Sequence, residues 1–183
     1  MSSPQAVIDF WQQAGRQKWF SKDDAFDTSI RENFELLHFR AARNELSDWM
    51  ETPQGALALM ILLDQFPRNL FRSSGHAFAT DPLALALARR AIELGHDAVT
   101  EPDLAAFFYL PFEHAEDLAE QERSVALFTA LAERGGPEDY LDYAITHRDV
   151  IVRFGRFPHR NSALGRTTTP EEQSFLDGGG FQG

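Results

Sequence analysis

The chain has 183 residues, of which 43% are apolar, and this length suits one folded domain that buries roughly 70% of its unfolded surface. It contains no cysteine, which excludes disulfides, zinc–thiolate sites, iron–sulfur clusters and cysteine nucleophiles. The net charge of −11 argues against general binding of nucleic acids or of anionic membranes, so we expect neither as a partner. Met1 is not followed by the basic region and long apolar stretch of a signal peptide, and a cytoplasmic protein is therefore expected.

Several predicted helices begin at a proline that follows a capping residue, a pattern typical of helix N-termini. These prolines are Pro4, Pro53, Pro82, Pro102 and Pro170. Three more helices are predicted from apolar residues at three- and four-residue spacing, over residues 22–48, 112–134 and 137–154. No stretch shows the pattern of a strand. The sequence therefore predicts an all-α array of antiparallel helix pairs, with a single domain over residues 1–177 and a flexible tail at 178–183.

The most apolar stretch is residues 56–63, which lie on a helix predicted over residues 53–66. A helix that is apolar around its whole circumference must be buried on all sides, so this one is expected to be central. Asp64 lies near its C-terminal end, where the helix dipole disfavours negative charge. A carboxylate there needs a cationic or hydrogen-bonding partner. Pro67 is predicted to end the helix.

A similar sequence occurs at two helix ends, Phe66-Pro67-Arg68-Asn69 and Phe157-Pro158-His159-Arg160-Asn161. Because proline fixes φ, the polar residues after it are expected to lie in rigid turns. Both turns would then face one pocket, where arginines bind a small anion through their two-pronged guanidinium groups. The alternative is that these arginines pair internally with Asp64 and with the acidic residues of 113–122. The candidate ligand-binding residues are Asp64, Arg68, Asn69, Arg72, Arg153, Arg156, Arg160 and Asn161.

Histidines close to acidic residues are the candidates for catalysis. Glu113 and His114 lie in a stretch with two further acids, but the spacing matches no firm ligand signature, so we expect a structural or solvated face, no metal and no cofactor. His147 lies on the apolar stripe of the helix over 137–154, and a buried histidine near an acid can act as a general base. The candidate catalytic residues are His147, His159, His114 and Glu113.

Four motifs together resemble the DUF924 family of uncharacterised bacterial proteins. They read LLDQFPRNLFR (62–72), YLPFEHAED (109–117), HRDVIVRFGRFPHRN (147–161) and LGRTTTPEE (164–172). The resemblance implies an all-helical fold similar to tetratricopeptide-repeat (TPR) superhelices, although irregular beside true repeat arrays. It implies no particular activity or cofactor.

Two hypotheses about function follow. In the first, a non-catalytic TPR-like protein binds a protein or peptide partner along a concave face. In the second, the protein binds a small molecule carrying phosphate or carboxylate in a closed pocket lined by arginine and histidine, either as a binding protein or as an enzyme. Fold analogy favours the first as a general description, and the compact polar turns support the second.

Overall fold

The structure, a computed structural model, describes residues 3–182 and is built from α-helices, with no strand among those residues. The predicted all-α fold is therefore confirmed, whereas the TPR-like arrangement stays a prediction. Residues 1, 2 and 183, at the ends of the predicted domain and tail, lie outside the described residues. The α-helices are α1 (Pro4–Ala14), α2 (Arg16–Trp19), α3 (Asp24–Ala42), α4 (Pro53–Met60), α5 (Phe66–Leu70), α6 (Asp81–Glu93), α7 (Pro102–Glu113), α8 (Leu118–Glu133), α9 (Asp139–Phe154) and α10 (Pro170–Asp177). Short 3-10 helices lie at Ser47–Glu51, Gly75–Phe78 and Pro158–Arg160, and a π-helical turn at Ile61–Gln65 joins α4 to α5.

Capping side chains hold several helix starts at the predicted positions. Ser3, Thr52 and Thr169 each accept a hydrogen bond from a backbone N–H in the first turn of α1, α4 and α10. The helix predicted over 22–48 is too long, because α3 ends before a turn at Asn44, whose φ is 60°. Asparagine tolerates this left-handed conformation better than most residues do.

The central helix continues past Pro67 to the end of α5, so the prediction that Pro67 ends it is wrong. The turn before the proline is π-helical, and the N–H of Phe66 donates to the carbonyl of Ile61, five residues earlier. A proline in a regular helix clashes with the carbonyl four residues before it. The wider π turn changes the hydrogen-bonding register at this point, and the helix can therefore pass the proline.

Two side chains bind the carbonyl groups that this irregular turn leaves free. His38 of α3 donates from Nδ1 to the carbonyl of Leu62 at 2.8 Å, and the hydroxyl of Thr80 donates to the carbonyl of Leu63 at 2.5 Å. Buried carbonyls need such partners. These bonds hold the π turn between α3 and the start of α6, and they fix the position of Asp64, the next residue.

The helix α7 continues through Pro111 to Glu113, and α8 is a separate helix, so the prediction of a single helix over 112–134 is wrong. The side chain of Gln121 donates to two carbonyls at the end of α7, at 2.6 and 2.7 Å. Asp117 caps α8 by accepting from an N–H in its first turn. Because both helix ends are satisfied, the chain can turn here, and His114 lies at the C-terminal end of α7.

The helix α4 is central, as predicted, and its residues from Gly55 onwards are buried. It packs against α1, α6 and α7. Aromatic rings fill the space around its C-terminal extension, with Trp11 5.6 Å from Phe66 and 5.7 Å from Phe107 between ring centroids. Within residues 3–182, no helix is long and apolar enough to cross a membrane.

Residues 178–182 fold back onto α9. The ring of Phe181 lies 4.3 Å from the ring of His147 and 5.4 Å from that of His159, measured between centroids. The glycine-rich sequence predicts a flexible tail and contains no signal for these contacts. They place the C-terminal segment against the region that contains the candidate catalytic histidines.

Candidate functional site

Arg68 and Arg160, one from each Phe-Pro segment, line the same pocket, whose volume is about 830 Å³. The pocket lies between α2, α5, the C-terminal end of α7, α9 and the segment that follows α9. Eight of the candidate residues line it: Arg68, Asn69, Arg72, Glu113, His114, His147, His159 and Arg160. Asp64 is buried next to the pocket and contacts it through His114 and Arg68.

Two carboxylates neutralise Arg68. Its Nη1 and Nη2 donate to the two oxygens of Asp81 at 3.0 and 3.1 Å, which is a bidentate pair. Nη1 also lies 3.5 Å from Oδ1 of Asp64 and donates to the carbonyl of that residue. The internal pairing considered as the alternative for this arginine is therefore present.

Arg160 is held differently. Its guanidinium lies between the rings of Phe78 and Phe157, 4.6 and 4.5 Å from their centroids. Nη1 donates to the carbonyl of His114 at 3.0 Å and lies 3.5 Å from Asp81. Nε is buried and has no hydrogen-bond partner within residues 3–182. Burial and the nearby Arg68 lower the pKa of Arg160 to about 10, so the group keeps its charge at neutral pH.

Hydrogen bonds orient the two histidines on the pocket wall. Nδ1 of His114 donates to Oδ1 of Asp64 at 2.7 Å, because an ionised carboxylate can only accept. Nδ1 of His147 donates to the carbonyl of Tyr143 at 2.8 Å and lies 3.2 Å from Oε1 of Glu113. In both rings the proton on Nδ1 leaves the lone pair on Nε2.

Burial dominates the protonation states of the site. It lowers the pKa of His147 to about 3, with His114 adding to the effect, and it lowers the pKa of His159 to about 3 together with Arg160. Burial and the nearby Asp64 carboxylate raise the pKa of Glu113 to about 8. The imidazoles of His147 and His159 are therefore neutral at pH 7, and the carboxyl group of Glu113 is largely protonated.

Three candidate residues lie outside the pocket and form a structural network. Arg156 donates to both carboxylate oxygens of Glu172 at 2.6 and 2.9 Å, and Asn161 donates to Glu172 at 3.2 Å. Arg153 pairs with Glu171. The expectation that Arg156 joins Arg160 in binding an anion is not supported by this arrangement.

Arg72 lies at the edge of the pocket, but it is already paired. Both oxygens of Asp27 accept from its guanidinium, and Asn69 donates to the same carboxylate at 2.8 Å. Burial alone would raise the pKa of Asp27, but the hydrogen bonds from Arg72 and Asn69 hold it below its usual value. This pair joins α3 to the turn that follows α5.

Sequence reasoning missed several residues of the pocket. The sequence suggests only a helix cap at Asp81, but Thr80 is the residue that precedes α6, and the carboxylate of Asp81 contacts both Arg68 and Arg160. Phe78 and Phe181 contact Arg160 and His147 respectively. An acid next to Pro82 is a local signal for a helix start, and no local signal marks these three residues as part of a site.

Comparisons with known proteins agree with this all-helical structure. The family described as bacterial protein of unknown function (DUF924) matches residues 7–180. A solved structure of a protein of unknown function from Agrobacterium tumefaciens is 51% identical and covers 96% of this chain and 97% of its own, with a TM-score of 0.91. The search of curated proteins found no match. The chain therefore belongs to the DUF924 family of bacterial proteins.

Proposed function

We propose that this protein binds a small molecule that carries a carboxylate or phosphate group, and that Arg160 holds that group. The observation that carries the proposal is one edge of its guanidinium, where neither Nε nor Nη2 has a hydrogen-bond partner within residues 3–182. A buried donor without a partner costs about 1–3 kcal/mol. A bidentate oxyanion would supply acceptors to both donors at once.

The surroundings of Arg160 support recognition of an anion. The two flanking rings hold the plane of the guanidinium, and the bond from Nη1 to the carbonyl of His114 fixes its rotation. A ligand would therefore lose little affinity to side-chain ordering. Arg68 takes most of the charge of Asp81 through its bidentate pair, so the charge of Arg160 is less compensated than that of Arg68.

The rest of the pocket suits a small organic molecule. Its volume of about 830 Å³ lies within the range of about 300–1,000 Å³ that is usual for ligand pockets. Nδ1 of His159 is buried without a partner within residues 3–182, next to Arg160 in sequence. Phe181 and Tyr143 provide aromatic walls. The lining combines aromatic rings with converging polar and charged side chains, which suits a polar metabolite.

The alternative hypothesis of a protein or peptide partner has less support from the described surface. The most exposed large apolar side chains are Leu36, Val99 and Val152, and these lie on α3, before α7 and on α9. Such scattered exposure is normal for a soluble surface. The geometry therefore favours a small-molecule pocket.

A thermal-shift screen against mono- and dicarboxylates and phosphomonoesters tests the proposal, followed by calorimetry with any ligand found. At about 100 times its Kd a ligand stabilises by about 2.7 kcal/mol. For this chain length that is a shift of about 5–10 °C. Arg160→Lys keeps the charge but not the two-pronged donor edge, so we expect about 10- to 100-fold weaker binding.

Arg89→Lys is the matched control, because Arg89 pairs with Glu120 away from the pocket and is absent from its lining. We expect its ligand response to equal that of the wild type. A ligand that binds equally well to wild type and Arg160→Lys would contradict the proposal. A complete screen without any stabilising anion would contradict it as well.

A further inference from the structure

A second group of side chains in the pocket is arranged as metal ligands are. Glu113, His114 and His147 each offer one donor atom, and these three atoms lie within 4.8 Å of one another. The first two end α7, and the third comes from α9, which faces that end. The packing of α9 against α7 therefore brings the three side chains together.

The hydrogen bonds of both histidines leave a nitrogen free for a metal. Asp64 holds the proton of His114 on Nδ1, and the carbonyl of Tyr143 does the same for His147. The hydrogen bonds of both rings within residues 3–182 are made through Nδ1, and none involves Nε2. A carboxylate or carbonyl bound to the second ring nitrogen is the usual support of a metal-binding histidine.

The carboxyl group of Glu113 is the second observation. Its side chain is 4% exposed, and Oε2 is buried without a hydrogen-bond partner within residues 3–182. A buried carboxyl oxygen of this kind needs a hydrogen-bond partner, or a cation that displaces the proton of the group. Oε1 already lies 3.2 Å from Nδ1 of His147, so Oε2 is the oxygen that lacks a partner.

We propose that Glu113, His114 and His147 bind one divalent transition-metal ion, with Asp64 as the outer partner that orients His114. Two imidazoles and a carboxylate select zinc or iron(II) over magnesium or calcium, which prefer oxygen ligands. Bonds of about 2.1 Å place the donors of a tetrahedral site about 3.4 Å apart. The three side chains must therefore draw together when the ion binds. This inference departs from the expectation of no metal that the sequence spacing suggested.

The metal would offer a second binding point to the anion in the pocket, and this part of the inference rests on the proposed function. Three protein ligands leave at least one coordination position open. Arg160 donates to the carbonyl of His114, so its unpartnered edge lies in the same wall of the pocket. An oxyanion can then bind to the metal through one oxygen and to Arg160 through others.

Metal binding can be measured without any anionic ligand. Protein without an affinity tag is stripped with a chelator and titrated with Zn²⁺ by calorimetry and with Co²⁺ by visible absorption. We expect one ion per chain and a Co²⁺ spectrum that differs from that of the hydrated ion. Glu113→Gln, His114→Gln and His147→Gln should each weaken binding by at least about 100-fold, and Asp64→Asn by about 10- to 100-fold.

His76→Gln is the control for surface binding, because His76 is exposed and not in the pocket. It should leave the affinity unchanged. The inference is overturned if the wild-type protein binds both ions more weakly than about 10 µM. It is also overturned if variants that keep their circular dichroism spectrum bind as the wild type does. The wild-type titration decides the question even where a variant does not fold.

The two proposals fail separately. Arg160→Lys should bind Zn²⁺ as the wild type does, because Arg160 is not a metal ligand in this arrangement. Metal binding without any response to anions would refute the anion pocket alone. A response to anions in metal-free protein, together with no metal binding, would refute the metal site alone.

Discussion

Replacement of Arg160 by methionine should leave the ligand-free protein about as stable as the wild type. Arg160 is 6% exposed, and removal of one partner of a buried ion pair ordinarily costs about 3–5 kcal/mol. Here the loss is mainly the charge-assisted hydrogen bond to the carbonyl of His114, about 1.5–3 kcal/mol. The gain is removal of the unpartnered Nε, about 1–3 kcal/mol, and of repulsion from Arg68.

These opposing changes nearly cancel. Methionine keeps apolar contact with Phe78 and Phe157, so the free energy of unfolding should change by less than about 1 kcal/mol. The lowered pKa of Arg160 agrees with this expectation, because its surroundings in the folded protein disfavour the positive charge. An arginine whose charge stabilises the fold has a raised pKa instead.

Arg166 provides the contrast. Its guanidinium donates to both oxygens of Glu116 at 2.6 and 3.0 Å, and also to Asn161 and to the carbonyl of Phe157. Every part of this group has a partner, and the side chain is 23% exposed. The same substitution, Arg166→Met, should therefore lower the free energy of unfolding by about 2–3 kcal/mol.

Urea unfolding of both variants, followed by circular dichroism without added anions, measures this difference. Thermal unfolding should agree, with a shift of about 2–4 °C for each kcal/mol. If Arg160→Met loses 3 kcal/mol or more while Arg166→Met loses little, Arg160 is a structural residue. The argument from its unpartnered edge would then be wrong.

Three further predictions concern the fold. Gly55→Ala should cost about 3 kcal/mol in urea unfolding, because an added Cβ would lie 2.0 Å from the carbonyl oxygen of Trp49; an unchanged stability would contradict that contact. Arg156 and the N–H of the helix cap lower the pKa of Glu172 to about 2. The stability that this group contributes is therefore present above pH 4.5 and lost as the pH falls towards 2, so the difference in stability between wild type and Glu172→Gln should shrink over that range. Phe181→Ala should lower the free energy of unfolding by about 1–2 kcal/mol, and no change would show that the tail contacts are weak.

Local chemistry explains what the sequence predicted well. A capping side chain bonds to an N–H two or three residues away, so Ser3, Thr52 and Thr169 could be recognised without knowledge of the fold. The central helix was recognised for a similar reason, because an unbroken apolar run is informative by itself. The errors came where distant groups stabilise an irregular turn. His38 and Thr80 bind the carbonyls around the π turn, and nothing near Pro67 in sequence indicates them.

The residues of the candidate site also depend on partners that are distant in sequence. Arg153, Arg156 and Arg160 follow one another at similar spacing, and the sequence offers no reason to distinguish them. Their partners come from elsewhere in the chain. The acids of α10 neutralise the first two, whereas Arg160 lies between two rings and shares Asp81 with Arg68. A residue type and its position in a motif therefore identify a group that could bind an anion. Whether that group is free to do so depends on which carboxylates the fold has already placed against it.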